Sequence, residues 1–174
     1  MSEYVSRRIE GMTVLPRFRS VSAALASAAL TATSAAAGSI VASDPVALQA
    51  YFLNEGVPMK LTEDEQGDPL LQGRYYGTRF SIYFFGCTGG KECTSIQYHA
   101  GYGLDGPVPL DILDGWNRDY RYARAYRDGA SDAAVHLEYD VFLGEKGLDE
   151  ADFAETFTIW TGLIEDFEKL LETY

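Results

Sequence analysis

The C-terminal segment, residues 149–171, carries the pattern that most constrains the fold. Apolar side chains recur there at intervals of three and four, at Phe153, Phe157, Trp160, Ile164, Phe167 and Leu171. This spacing places them on one side of a helix, and Asp149 with Asp152 marks its start. A helix with so wide an apolar stripe is stable only when the stripe is buried. The rest of the chain therefore has to supply a large apolar surface.

Short extended segments separated by turn residues are predicted to supply that surface as a sheet. Two more helices are predicted, one from Asp44 to the stop at Gly56 and one over 110–119. The predicted order is α-β-β-β-β-α-β-β-α, which indicates an α+β fold with an antiparallel sheet covered by helices. The predicted strands are 59–62, 69–76, 78–85, 94–102, 121–127 and 133–143.

Alternation along the strands separates a helix-covered face from an outer face. A polar outer face is the ordinary expectation for an antiparallel sheet, and its tyrosines also suit a contact surface. The positions assigned to the covered face are Phe80, Ile82, Phe84, Ile96, Tyr98, Ala100, Ala123, Ala125, Val135, Leu137, Tyr139 and Val141. Those assigned to the outer face are Gln72, Arg74, Ser81, Tyr83, Gln97, His99, Tyr122, Arg124, Tyr126, His136, Glu138 and Asp140.

Composition excludes several classes of function. The chain has 26 acidic and 14 basic residues, a net charge of −12, so we expect no nucleic-acid partner. Two cysteines are too few for a multi-cysteine zinc module or an iron–sulfur cluster. Two histidines leave little material for a metal centre, and we predict neither metal nor cofactor.

The N-terminal segment has the pattern of a secretory signal peptide. Arginines precede a short alanine-rich stretch, and Ala35 with Ala37 forms an Ala-x-Ala cleavage site. We therefore predict a signal peptide over 1–37, a short linker over 38–43, a domain over 44–174 and a periplasmic location. Met12 is an alternative start, and Ile40 to Ala42 is a poorer cleavage site. An uncleaved anchor and an amphipathic helix are the other interpretations. After removal of the signal, we expect no membrane span.

The two cysteines fit an oxidising compartment. Cys87 and Cys93 flank a five-residue loop that contains two glycines, so we predict a disulfide across a turn. Their Cα atoms should then lie within about 4.4–6.8 Å of each other. Two reduced structural thiols or half of a metal site are the alternatives.

Motifs that carry catalysis are missing from the sequence. It contains no G-x-S-x-G, H-E-x-x-H, P-loop or G-x-G-x-x-G pattern. Glu138 and Asp140 share one face and could act as an acid–base pair, but Arg124 on a neighbouring strand favours a cross-strand charge ladder. His99 and His136 have no evident serine or cysteine nucleophile. We therefore predict no catalytic residue and no enzyme activity.

Two segments resemble the YbjN family, a bacterial family of regulators. They are 84–102, FFGCTGGKECTSIQYHAGY, and 116–126, WNRDYRYARAY, and the closing helix also fits. The resemblance spans about residues 44–172. It implies a fold similar to type III secretion chaperones, which are α+β proteins that commonly dimerise, and a binding or regulatory role without catalytic residues. The family-signature positions are Trp116, Asn117, Arg121, Arg124 and Tyr126.

Two hypotheses of function follow. The first is a non-catalytic periplasmic protein-interaction module that acts on an unidentified protein partner, with a homodimer as one form of association. Ile159 and Leu163 widen the stripe of the last helix and are the candidate interface residues. The second is an envelope small-ligand binder or enzyme that uses the tyrosine-rich sheet face. A pocket in which His99 or His136 lies beside a carboxylate would favour the second hypothesis.

Overall fold

The computed structural model describes residues 38–173 and confirms the predicted order of elements. Within this range there are three helices and six strands. In chain order they are α1 (Pro45–Asn54), β1 (Lys60–Glu63), β2 (Pro69–Tyr75), β3 (Thr78–Phe85), β4 (Ser95–Gly103), α2 (Leu110–Asp119), β5 (Arg124–Asp128), β6 (Ser131–Phe142) and α3 (Glu150–Leu171). The predicted signal peptide, residues 1–37, lies outside the described residues.

The six strands form one antiparallel sheet in the order β1-β2-β3-β4-β6-β5. Consecutive strands pair as hairpins except that β6, not β5, lies beside β4. The chain leaves β4, forms α2, and returns along the outer edge as β5 before β6 fills the gap. The α+β prediction is confirmed, and the longest strand lies in the interior of the sheet.

Helix ends follow the local signals in the sequence. Asp44 caps α1 because its Oδ1 accepts a hydrogen bond from the backbone N–H of Ala47 at 2.9 Å, and Pro45 occupies the first turn. Asp149 caps α3 in the same way through the N–H of Asp152, also at 2.9 Å. These two caps fix where the helices begin, and so how they lie on the sheet.

All three helices pack on the same face of the sheet. Tyr98 lies at the centre of that face, with its ring stacked between those of Tyr139 and Trp160 at centroid distances of 5.9 and 5.5 Å. Trp116 from α2 packs edge-on against Phe167 of α3 at 4.8 Å. Residues 38–173 contain no helix long and apolar enough to cross a membrane.

The predicted strand boundaries agree with the observed ones to within two residues, except at the start of β5. β5 begins at Arg124 and not at residue 121, because the chain bends at Arg121 and Tyr122 before it joins the sheet. Alternation therefore does not extend back to Tyr122, which we assigned to the outer face. Its ring instead contacts Tyr139, a residue of the helix-covered face, at a centroid distance of 5.8 Å.

The segment predicted as a linker is part of the fold. Ile40 and Leu148 exchange two backbone hydrogen bonds, of 2.8 and 3.1 Å, and Ala42 is completely buried. Gly147 has φ +72°, and a Cβ there would collide with the Ile40 carbonyl and the Val41 side chain. A glycine is therefore needed where the N-terminal entry of the chain crosses the connection to α3.

The cysteine loop is closed as predicted. Cys87 and Cys93 form a disulfide, and their Cα atoms are 3.9 Å apart, closer than the predicted range. The separation is small because the loop is tight: Thr88 and Lys91 pair through their backbones inside it. Both cysteines are thereby removed from metal binding and nucleophilic chemistry.

Candidate functional site

The sheet face opposite the three helices, the open face, carries the most organised polar side chains of the described chain. Register brings them together, since Arg124 pairs with Glu138, Glu138 with His99, and His136 with both Gly101 and Tyr126. The positions are thus contributed by three neighbouring strands, β4, β6 and β5. Except for Tyr122, the outer-face assignments made from alternation that lie on these strands are consistent with this register.

Glu138 is the centre of one part of the open face. Its side chain is almost completely buried, under the side chains of Arg124 and Tyr126. Arg124 donates to Oε2 through Nε at 2.8 Å and Nη2 at 2.5 Å, and the Tyr126 hydroxyl donates to Oε1 at 2.5 Å. Burial and this hydrogen bond raise the pKa of Tyr126 to about 12. The predicted cross-strand charge pairing is confirmed for Arg124 with Glu138. Asp140 instead accepts a hydrogen bond from the Gln97 amide.

A chain of hydrogen bonds joins the two histidines to a carboxylate. His99 Nε2 lies 3.0 Å from His136 Nδ1, and His136 Nε2 lies 3.1 Å from Asp128 Oδ2. The other oxygen of Asp128 accepts the N–H of Ala130 at 2.7 Å, which holds the carboxylate in the β5–β6 turn. The structure therefore places His136 beside a carboxylate.

Aromatic rings and a glycine position the histidines. The Tyr126 ring stacks on His136 at 5.2 Å between centroids, and Tyr83 meets His99 edge-on at 5.5 Å. A Cβ at Gly101 would lie 3.3 Å from His136 Nδ1, so this glycine keeps open the space through which the two rings meet. Neither contact follows from the sequence without the register of β4 against β6.

The environment of His99 favours its uncharged state. Burial, followed by the neighbouring His136, lowers the pKa of His99. The N–H of Ala130 and then the hydrogen bond with His136 lower the pKa of Asp128. Near neutral pH the arrangement is thus an ionised carboxylate, an imidazole oriented by it and a second, neutral imidazole.

The signature residues divide into two groups. Trp116 is buried in the core and stacks on Tyr120 at 3.6 Å between ring centroids. Asn117 joins α2 to the sheet edge: its amide donates to the Ala125 carbonyl at 2.9 Å and accepts the Ala125 N–H at 2.7 Å. Arg121 lies over the Tyr122 ring at 5.2 Å.

Arg124 and Tyr126 form the second group, on the open face. The signature segment 116–126 therefore has two roles. Asn117 binds the backbone of the edge strand β5, and Arg124 and Tyr126 contribute side chains to the open face. Asn117 supplies the hydrogen bonds that a further strand would otherwise make to Ala125.

The candidate interface residues of α3 differ in exposure. Leu163 is 7% exposed and belongs to the core, so the structure corrects its assignment as an interface residue. Ile159 is only partly buried and packs at the margin of the core. The stripe is wide because α3 meets side chains of the sheet, α1 and α2, as the contacts of Phe153 with Tyr51 and of Phe167 with Trp116 show.

A set of groups for nucleophilic catalysis is not assembled around the histidines. Ser81 lies opposite His99 in the β3–β4 register, but the two side chains are not hydrogen-bonded. A cavity of about 350 Å³ lies between α3 and the turn after β2, lined by Tyr75, Tyr76 and Glu168 among others, and contains neither histidine. In the described part of the chain, no three His, Cys, Asp or Glu side chains are arranged to hold a metal ion.

Comparison with known proteins assigns the class. Residues 44–173 match a family described as "Putative bacterial sensory transduction regulator", so the domain is of a bacterial regulatory class. That family is YbjN, and because the match covers most of the chain, the protein belongs to the YbjN family.

A solved structure supports the fold. The protein is similar to the crystal structure of YbjN, a putative transcription regulator from E. coli, with a TM-score of 0.53 and 15% sequence identity. The similarity covers 77% of this chain and 93% of that chain. No curated protein matches the sequence. At this identity the likeness shows the shared fold and carries no residue roles.

Proposed function

We propose that this YbjN-family protein is a non-catalytic regulatory module that works in the periplasm by binding a protein partner through its open face. The observation that carries the proposal is that the open face is organised by hydrogen bonds and that no helix or strand within residues 38–173 covers it. Arg124 and Tyr126 are held by a buried carboxylate, while Phe85 and Phe142 remain 46% and 77% exposed.

The two exposed phenylalanines, which we call the apolar patch, lie on neighbouring positions of the open face. Phe85 and Phe142 each pair with Ser95 from opposite sides, so they flank it on the open face. Large apolar rings next to a fixed polar network, with tyrosine and arginine in reach, are typical of the central part of a protein–protein interface. A protein segment with apolar side chains is the occupant that this patch favours.

The periplasmic part of the proposal rests on the leader pattern of residues 1–37 and on the bridged Cys87–Cys93 pair. The fold distinguishes the two cleavage sites. Cleavage after Ala37 leaves Ile40 and Ala42 in place, whereas cleavage after Ala42 removes both from the domain. N-terminal sequencing of the protein from cells is expected to begin at Gly38. Full-length protein in the cytoplasm would contradict the proposed export.

Site-specific photo-crosslinking tests the open face. A photoreactive phenylalanine analogue at Phe142 is expected to capture a partner in intact cells. The same analogue at Val46 or Leu53, which are 62% and 61% exposed on α1, is the matched control and should capture much less. The substitution Tyr126→Ala should lower the yield from position 142. Equal capture from all three positions, or none from 142, would overturn the proposed surface.

Self-association is the second part of the test. We propose that the module forms a homodimer to which Ile159 contributes, and light scattering across a concentration series measures it. Ile159→Glu is expected to lower the dimer fraction and leave the circular dichroism spectrum unchanged. Leu163→Glu, which places a charge in the core, is expected to unfold the domain. A monomer at the highest concentration would remove the dimer from the proposal.

An envelope ligand binder or enzyme is the second candidate, and one observation favours it. His136 lies beside the Asp128 carboxylate on the tyrosine-bearing face, which is half of the condition set from the sequence. The other half, a pocket around the histidines, is not met by the cavity beside α3. Hydrolysis of ester or phosphate model substrates that is lost in His136→Gln would favour this candidate.

A further inference from the structure

The two facing imidazole nitrogens on the open face are the feature from which a new site can be argued. Asp128 accepts a hydrogen bond from His136 Nε2, and this fixes the proton on that nitrogen. The lone pair of His136 Nδ1 is therefore directed at His99 Nε2, 3.0 Å away. When His99 carries its proton on Nε2, this contact is an N–H···N hydrogen bond between two neutral rings. When the proton of His99 is on Nδ1 instead, two nitrogen lone pairs converge on the same gap, which is the arrangement that binds a shared cation.

The arrangement has the outer support that metal-binding histidines have in proteins. A ligating imidazole usually donates its other N–H to a carboxylate, which orients the ring and makes it more basic. Asp128 does this for His136, and its own position is fixed by the Ala130 N–H at 2.7 Å. His136, one of the two rings, therefore has the carboxylate hydrogen bond that is typical of a metal-binding histidine.

The spacing of the rings also suits a shared ion. Two imidazoles bound to one tetrahedral ion at about 2.0–2.1 Å have nitrogens about 3.3 Å apart and ring centroids about 5.2 Å apart. The observed values are 3.0 Å and, for the centroids of His99 and His136, 5.1 Å. A shift of the two nitrogens by a few tenths of an ångström would bring them to the separation of two ligands of one ion. Gly101 leaves the space for this shift.

We infer that His99 and His136 form a binding site for a divalent transition-metal ion of the Zn²⁺ or Cu²⁺ type, with Asp128 as the carboxylate that positions His136. Solvent or a partner's side chain supplies the remaining ligands. When the ion enters, His99 loses the proton on Nε2 and gains one on Nδ1, so the neutral pair binds without net proton release. The site departs from our expectation of no metal, because the sequence showed two separate histidines and not their contact.

Calorimetric titration of the untagged full chain with ZnCl₂ and with CuCl₂ tests the site. The chain has only two histidines, and both of its cysteines are bridged, so imidazole-dependent binding reports on this pair alone. One equivalent is expected to bind, and His99→Gln or His136→Gln should reduce binding to background. Asp128→Asn should weaken it by about 10–100-fold. Glu165→Gln, a carboxylate on α3, is the matched control and should change nothing.

Electron paramagnetic resonance of the Cu²⁺-loaded wild type keeps the test valid if a histidine variant fails to fold. Hyperfine splitting from two equivalent nitrogens is expected. Binding that persists in the His99→Gln, His136→Gln double variant would identify the acidic surface as the ligand and overturn the site. A spectrum with only oxygen ligands, or no binding at millimolar ZnCl₂, would overturn it as well.

Discussion

The two faces of the sheet reach order by different means. On the helix-covered face, Tyr98, Trp160 and Phe167 are excluded from water and held mainly by apolar contacts between rings. One hydrogen bond, of 3.2 Å between the hydroxyls of Tyr98 and Thr156, is added to these contacts. On the open face, Glu138 and His136 are held by a few hydrogen bonds with defined donors. The first face therefore determines whether the domain folds, and the second presents an ordered set of polar side chains on its surface.

Removing the central indole tests the covered face and should give the largest effect. Trp160 is completely buried and stacks on Tyr98, so Trp160→Ala leaves a cavity under the middle of α3. We expect a loss of about 3–5 kcal/mol in the free energy of unfolding. Urea denaturation followed by circular dichroism measures it, with Trp160→Phe as the milder control. A loss below 1 kcal/mol would show that the covered face is not the main source of stability.

The edge strand β5 depends on specific hydrogen bonds, like the open face, and contributes to stability, like the covered face. Asn117→Ala removes both hydrogen bonds to the Ala125 backbone and leaves an unpaired strand edge. We expect a loss of about 1–3 kcal/mol and an increased tendency to associate through β5. Denaturation and light scattering of the same sample report the two effects. Asn117→Asp, which keeps the acceptor and loses the donor, should fall between the wild type and Asn117→Ala.

The buried carboxylate tests the open face. Glu138→Gln keeps the shape of the side chain but turns one acceptor into a donor that faces Arg124 or the Tyr126 hydroxyl. We expect a loss of about 1–2 kcal/mol, because Arg124 is exposed and solvent compensates part of the pair. Capture by the photoreactive group at Phe142 should fall more sharply than stability. The reverse order, large destabilisation with capture intact, would contradict the division between the faces.

The histidines give the smallest and most specific effect, which depends on pH. Because burial and His136 lower the pKa of His99, the unfolded chain takes up this proton before the folded chain does as the pH falls. In protein treated with a chelator, stability should therefore be constant above pH 7.5 and decrease below pH 6.5. Thermal melts at pH 7.5 and 5 measure the decrease, and His99→Gln should reduce it. An imidazole Cε1–H resonance of His99 that titrates above pH 6.5 would contradict the prediction.

The covered face was largely predictable from the sequence. Period-two spacing identified twelve buried positions of the sheet, from Phe80 to Val141, and period-three-to-four spacing identified most of the buried stripe of α3, because burial acts on each residue separately and leaves a pattern along the chain. The caps Asp44 and Asp149 and the Cys87–Cys93 bridge were also predictable, because each of them joins residues that are close in sequence.

The open face was predictable only as a set of polar positions. The contact of His99 with His136 depends on which residues of β4 and β6 pair, and on Gly101 leaving the space between them. The contact of Tyr122 with Tyr139 and the pairing of Ile40 with Leu148 likewise join parts of the chain that no local signal connects. A pairing prediction for β4 with β6 would have placed the histidines together.

The position of α3 after all six strands has a consequence in time. Synthesis proceeds from the N-terminus, and Phe153, Trp160 and Phe167, the large side chains that cover the middle of the sheet, are made after every strand. The contact of Ile40 with Leu148 also forms only after the six strands have been made. A nascent chain therefore cannot close this core until α3 has been synthesised. For a protein that we propose is exported, late closure keeps the chain unfolded while it can still be threaded through a membrane channel.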